Sequence, residues 1–174
     1  SIRKVLGIGL LTAVSASFMF SAAAFFIPEI LMKIFTESPE TVNIGISYLT
    51  IVCFSYPFTA VTNIHVYALR ATGQVTIPVI TSISAIIINI TANYMLIFGN
   101  FGMPALGVQG AAYATLIARA AECIAVLLII RLKKSPLVCS LKEMFSFGNN
   151  IFRQFLVNST PVIANELMWG LGIT

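Results

Sequence analysis

The chain has 174 residues, of which 58% are hydrophobic and only 9% charged, with a mean hydropathy of +0.95, whereas a soluble domain carries about 25% charged residues. That excludes an ordinary soluble globular protein, and seven Pro, eleven Gly and three scattered Cys exclude collagenous, disordered and disulfide-framework chains. The net charge of +4 comes from Lys and Arg flanking apolar runs, a membrane-topology signature rather than a basic face for nucleic acid, so no nucleic-acid partner is expected.

In chain order, apolar runs place membrane spans at about 5 to 27, 44 to 68, 76 to 98 and 109 to 130, with a fifth beginning near 155. Each exceeds or approaches the roughly 20 residues needed to cross a bilayer. Long continuous runs favour helices over a barrel, whose strands would alternate polarity over about 10 residues. The expected fold class is therefore all-α, a polytopic membrane helix bundle. The first run is too long for the apolar core of a signal peptide and reads as a span. It carries Gly9, Ala13, Ser17 and Ser21 at four-residue spacing, a stripe of small residues suited to close helix packing. The second span contains Pro57, which removes the hydrogen bond to the carbonyl of Cys53 and predicts a kink. It also holds the single histidine, His65, read either as a partly solvated polar end or as a proton relay. On the fourth span, Gly110, Ala114 and Ala118 form a second small-residue stripe. Residues 131 to 154 are the most polar stretch, with Leu137, Leu141 and Phe145 at helical spacing, and read as an interfacial linker between two bundles. The chain starts with Ser, and Leu167 to Thr174 still read as helix interior, so the expectation is a segment of a longer protein.

Loop charges alternate in sign and orient the spans. Arg3 and Lys4 precede the first span, Arg70 lies in the second loop, and Arg131, Lys133, Lys134, Lys142 and Arg153 outweigh Glu143 in the fourth. The first loop, with Glu29, Lys33, Glu37 and Glu40, is net negative, and the third, Gly99 to Leu106, is uncharged. Positive loops mark the cytoplasmic side. The N-terminus and the second and fourth loops are thus predicted to be cytoplasmic, in a multi-pass protein of the cell inner (plasma) membrane.

Polar groups within spans are costly and draw attention. Thr81, Ala85, Asn89 and Asn93 share one face of the Ile-rich third span. Two amides one turn apart can offer carbonyl oxygens to Na⁺ or bond a neighbouring carboxylate, or they can simply tie helices together at about 1 kcal/mol per bond. On the fourth span Thr115, Arg119 and Glu122 share a face, predicting either an intramembrane Arg119 to Glu122 ion pair or direct substrate contact. In the fifth, Glu166 follows Pro161 and sits beside Asn165 and near Trp169, with no cation close in sequence. Such a carboxylate is a candidate for proton exchange or for pairing with a cationic ligand. No nucleotide-binding, metalloprotease or paired-Cys motif occurs, and the chain has no Asp, so neither an enzyme nor a metal site is expected. The sequons at Asn89 and Asn158 lie in or beside spans and should carry no glycan.

The stretch Leu69 to Gln74, then Pro78, the Asn89 and Asn93 helix, and above all the loop Gly102-x-Pro104-x-Leu106-Gly107-Val108-x-Gly110-Ala111-Ala112-x-Ala114-Thr115 resemble the multidrug and toxic compound extrusion (MATE) transporters. The resemblance covers essentially the whole chain. It implies the third to sixth helices of a twelve-helix, two-lobe transporter: residues 1 to 130 as part of the first lobe, 131 to 154 as the cytoplasmic inter-lobe linker, and 155 to 174 as the start of the second lobe. The function so implied is export of cationic or amphiphilic small molecules in exchange for Na⁺ or H⁺, by alternating access and without a cofactor, in concert with the remaining helices of the parent chain. Asn89 and Asn93 resemble the family's fifth-helix coupling pair, with Thr115 as the sixth-helix partner. Several relatives carry a seventh-helix Glu eight residues after its Pro, where this chain has Trp169; Glu166 lies one turn earlier on the same face. The alternatives are a lipid-linked oligosaccharide flippase, which would favour a more cationic cavity, and a structural membrane subunit without transport.

Overall fold

The computed structural model describes residues 2–133 and Thr160. Within residues 2–133 six α-helices follow one another: α1 (Ile2–Phe26), α2 (Pro28–Phe35), α3 (Pro39–Val52), α4 (Tyr56–Ala71), α5 (Thr76–Phe98) and α6 (Val108–Leu132). No strand occurs among the described residues. The predicted inter-lobe linker, apart from its first residues, and the fifth span with Glu166 and Trp169 lie outside the described residues.

Among the described residues four segments are long and apolar enough to cross a membrane: Val5–Phe26, Pro39–Ala71, Thr76–Phe98 and Val108–Leu132. The third matches the sequence expectation at both ends, and the first and fourth to within a residue or two. The second differs. It runs 33 residues from Pro39 to Ala71 and is broken by a 3₁₀ turn at Cys53–Ser55. Its early start has a local cause: Pro39 takes the first helical position and Glu40 adds a carboxylate to the first turn, both favourable at a helix N-terminus. The break sits where Pro57 cannot donate to Cys53. That carbonyl instead accepts from the Tyr56 amide and from the Ser21 hydroxyl of α1 at 2.9 Å.

Between α1 and α3, α2 is a one-sided helix whose Ile30 and Ile34 are exposed while Met32 lies against Gly45 of α3. The loop from α5 to α6 turns back on α5, with the Leu106 amide donating to the Leu96 carbonyl at 2.9 Å. Gly107, at φ 54 and ψ −125, occupies backbone space closed to other residues. It opens α6.

Central to the bundle is α6, which packs on α5 most extensively and also on α3 and α4, while α1 lies mainly on α4. The small-residue stripe of α6 is the seam: Gly110, Ala114 and Ala118 are buried, and a Cβ on Gly110 would collide with the Leu96 carbonyl group. The first-span stripe is looser. A Cβ on Gly9 would meet Ile64 only at 3.6 Å, and Ser21 makes a hydrogen bond rather than a close backbone approach. Leu6 and Leu10 of α1, Leu69 of α4, Ile77 of α5 and Val126 and Ile130 of α6 form the apolar core. This core gathers the helix ends that adjoin the positive loops. Polar side chains collect further along the bundle, toward its middle.

Candidate functional site

Among the described residues Glu122 is the best-buried charge, only 5% exposed, and its two oxygens are separately engaged. Oε2 accepts from the Arg119 guanidinium at 2.9 Å, and Oε1 accepts from the Ser82 hydroxyl of α5 at 3.0 Å. Arg119 and Glu122 thus form an ion pair one turn apart on α6. A carboxylate removed from water needs this much compensation to remain charged. Ser82 was not singled out from the sequence, although it lies seven residues before Asn89 on the same helix face.

The bridge from Ser82 through Glu122 to Arg119 lines two cavities. The first, about 290 Å³, is also lined by Ala85, Asn89, Thr115 and Ala118. The second, about 170 Å³, is lined by the bridge and by residues of α4, among them Asn63, Tyr67 and Arg70. Asn89 and Thr115 therefore meet at one cleft although they come from different helices. Thr115 donates its hydroxyl to the Ala111 carbonyl at 2.9 Å, which leaves its oxygen lone pairs able to accept or to ligate.

Asn93 does not line that cleft. Its amide donates to Asn89 Oδ1 at 3.0 Å, and its own Oδ1 is buried with no hydrogen-bond partner among the described residues. Such an atom loses its hydration without replacement. Thr81 and Ala85 complete the stripe and are buried against the bundle, while Ile80, Ile83, Ile87 and Ile90 on the other side of α5 are exposed. The stripe faces inward, as its pattern implied.

His65 departs from the expectation of a partly solvated residue. It is 5% exposed, and its Nδ1 lies 2.8 Å from the Val61 carbonyl of its own helix, because α4 turns that face against its neighbours. Among the described residues no three His, Cys, Asp or Glu side chains gather as a metal site would require.

These features define a polytopic helical membrane protein with polar groups of α5 and α6 gathered at one cleft. Residues 1–95 match the sequence profile of MatE, and the chain belongs to that family, whose members are transporters rather than enzymes and need no cofactor. Relatives include the probable multidrug resistance protein YoeA of Bacillus subtilis (strain 168), 36% identical over 101 residues, covering 58% of this chain and 22% of that protein. Another is the probable multidrug resistance protein NorM of Bacillus cereus (strain ATCC 14579), 29% identical over 143 residues, covering 82% of this chain and 29% of that one. The chain thus spans less than a third of either relative. Among solved structures, an inward-facing multidrug resistance MATE family transporter of the MOP superfamily superposes with a TM-score of 0.66 at 18% identity, over 89% of this chain and 40% of that one. At that identity the likeness is one of fold.

Proposed function

We propose that this chain supplies helices three to six, and the start of helix seven, of a secondary exporter in the cell inner membrane. It would exchange cationic or amphiphilic compounds for Na⁺ or H⁺ by alternating access. Residues 1 to 130 would belong to the first lobe, 131 to 154 to a cytoplasmic linker and 155 to 174 to the second lobe. Asn89, Asn93 and Thr115 hold the coupling cation or the carboxylate that carries it, and Glu166 with Trp169 engages the substrate or proton.

One observation carries the coupling role: Asn93 orients Asn89 through a 3.0 Å bond while its own carbonyl oxygen is buried without a hydrogen-bond partner among the described residues. An acceptor in that state is stabilised by a cation or by the O–H of a protonated carboxyl group. Replacing both Asn89 and Asn93 by Leu, in a transporter that carries this segment, tests the reading. Leu favours the bilayer, so insertion is retained, and ion-driven efflux in vesicles should fall to background. Efflux that survives with its ion dependence intact would reduce the pair to helix glue.

A further inference from the structure

The second cavity has a different chemistry from the first. From α4, Asn63, Tyr67 and Arg70 follow at intervals of four and three residues, so they share one face. All three line the cavity with Ser82, Arg119 and Glu122. None of the three makes a side-chain hydrogen bond or ion pair among the described residues. Arg119 gives one nitrogen to Glu122 and is 48% exposed, so most of its five donors are uncommitted. Both oxygens of Glu122 are engaged, by Arg119 and Ser82, so its charge is offset by the Arg119 guanidinium. Thr59 and Thr62 also line the cavity and give their hydroxyl protons to backbone carbonyls of the same chain segment, so its uncommitted donors are two guanidinium groups and the exposed phenol and amide of Tyr67 and Asn63. A volume of about 170 Å³ admits a single small oxyanion.

We infer that this cavity binds an oxyanion, a phosphate or carboxylate group, clamped between Arg70 of α4 and Arg119 of α6, with Tyr67 and Asn63 as neutral donors. Guanidinium forks suit tetrahedral and planar oxyanions alike. Arg70 lies in the last turn of α4, at the end that the loop charges assign to the cytoplasm, so the anion enters from that side. Its source is either the phosphate of a cytoplasmic-leaflet lipid headgroup or a soluble anion. Neither Asn89 nor Asn93 lines this cavity, so their coupling role does not bear on it.

The test uses a transporter that carries this segment, reconstituted in phosphatidylcholine nanodiscs. In one arm inorganic phosphate is titrated against chloride at constant ionic strength and binding is read by calorimetry. In the other, phosphatidylglycerol is mixed into the nanodisc and the lipid retained after extraction is counted by native mass spectrometry. One arm should show saturable binding that weakens about tenfold in Arg70→Gln, the loss expected for one charge-assisted hydrogen bond. The isosteric Tyr67→Phe should weaken it by a smaller factor. Arg131→Gln, which removes a positive charge away from the cavity, should leave it unchanged. Saturation by phosphate identifies a soluble ligand, and selective retention of phosphatidylglycerol identifies a lipid headgroup. The inference is overturned if neither probe binds saturably, or if Arg131→Gln weakens binding as much as Arg70→Gln. Because the readouts are binding alone, ion-coupled efflux can fail or survive without bearing on the result.

Discussion

The Ser21 hydroxyl of α1 donates to the Cys53 carbonyl of the second span at 2.9 Å, across 32 residues of sequence. Pro57 strips that carbonyl of its helical donor, and within a bilayer there is little water to replace it. The hydroxyl thus stabilises the break between α3 and α4 and ties it to the first span. Ser21→Ala should cost about 1 kcal/mol, in the range of interhelical hydrogen bonds in membranes, because the Tyr56 amide still donates to the same oxygen. Equilibrium unfolding in mixed micelles measures the difference, and no change would mean that the bond does not stabilise the break.

The two small-residue stripes should respond differently to a methyl group. At Gly110 an added Cβ would lie 2.6 Å from the Leu96 carbonyl carbon, and backbone cannot move aside as a side chain can. Gly110→Ala is expected to cost about 1 to 3 kcal/mol by overpacking. Gly9→Ala meets only the tip of Ile64 at 3.6 Å and should be neutral or slightly stabilising. Thermal unfolding of the two variants side by side gives the comparison.

Removing either member of the ion pair should have unequal consequences. Arg119→Leu leaves the 5% exposed Glu122 with Ser82 as its remaining partner, and stranding a buried charge costs about 3 kcal/mol or more. Glu122→Gln keeps an oxygen for Arg119 or Ser82 and leaves a half-exposed guanidinium that can reach the clefts, so the loss should be smaller. Folded yield and chemical unfolding distinguish the two. An equal loss would show Glu122 to be better solvated than its burial implies.

Outside the membrane spans, Lys33 bonds Glu29 across one turn of α2 at 2.6 Å. That hydrogen bond, then the Lys33 charge, holds the Glu29 carboxyl below its ordinary value of 4.5. A lowered folded-state pKa contributes stability that is present above about 4.5 and is lost as pH falls through the lower folded value. Lys33→Ala should return the Glu29 titration, followed by carboxyl NMR, toward its ordinary value. High salt should shrink the difference, since both groups are exposed.

The orientation follows from loop charge and can be tested on described positions. Ser38→Cys in the first loop should be labelled by an impermeant thiol reagent from outside intact cells, and Gln74→Cys in the second only after permeabilisation. The reversed pattern would invert the topology.

Among the described residues, the four spans and their approximate positions were legible in the sequence because hydropathy is a one-dimensional property: a charge-free run of sufficient length has few options but to cross the bilayer. Contacts within one helix were legible for the same reason. Helical spacing alone brings Asn93 to Asn89 and Arg119 to Glu122, and both bonds are present. The break at Pro57 was also legible as a lost donor. Its repair by Ser21 was not, since nothing in the spacing says which helix supplies the hydroxyl.

The tertiary structure alone decided what lies between helices. Two stripes with the same four-residue spacing gave one tight seam, at Gly110 against Leu96, and one ordinary contact, at Gly9, because periodicity specifies a face and not the distance to its neighbour. Ser82 reaches Glu122 across 40 residues of sequence and so completes a bridge that divides the polar interior into two cavities. Asn89 and Thr115 line one of them, and Asn63, Tyr67 and Arg70 the other. Composition and spacing determined which groups had to be buried in the membrane. Only the packing of α4, α5 and α6 determined which of them share a cavity, because side chains on separate helices meet according to crossing angle and register, neither of which a single sequence encodes locally.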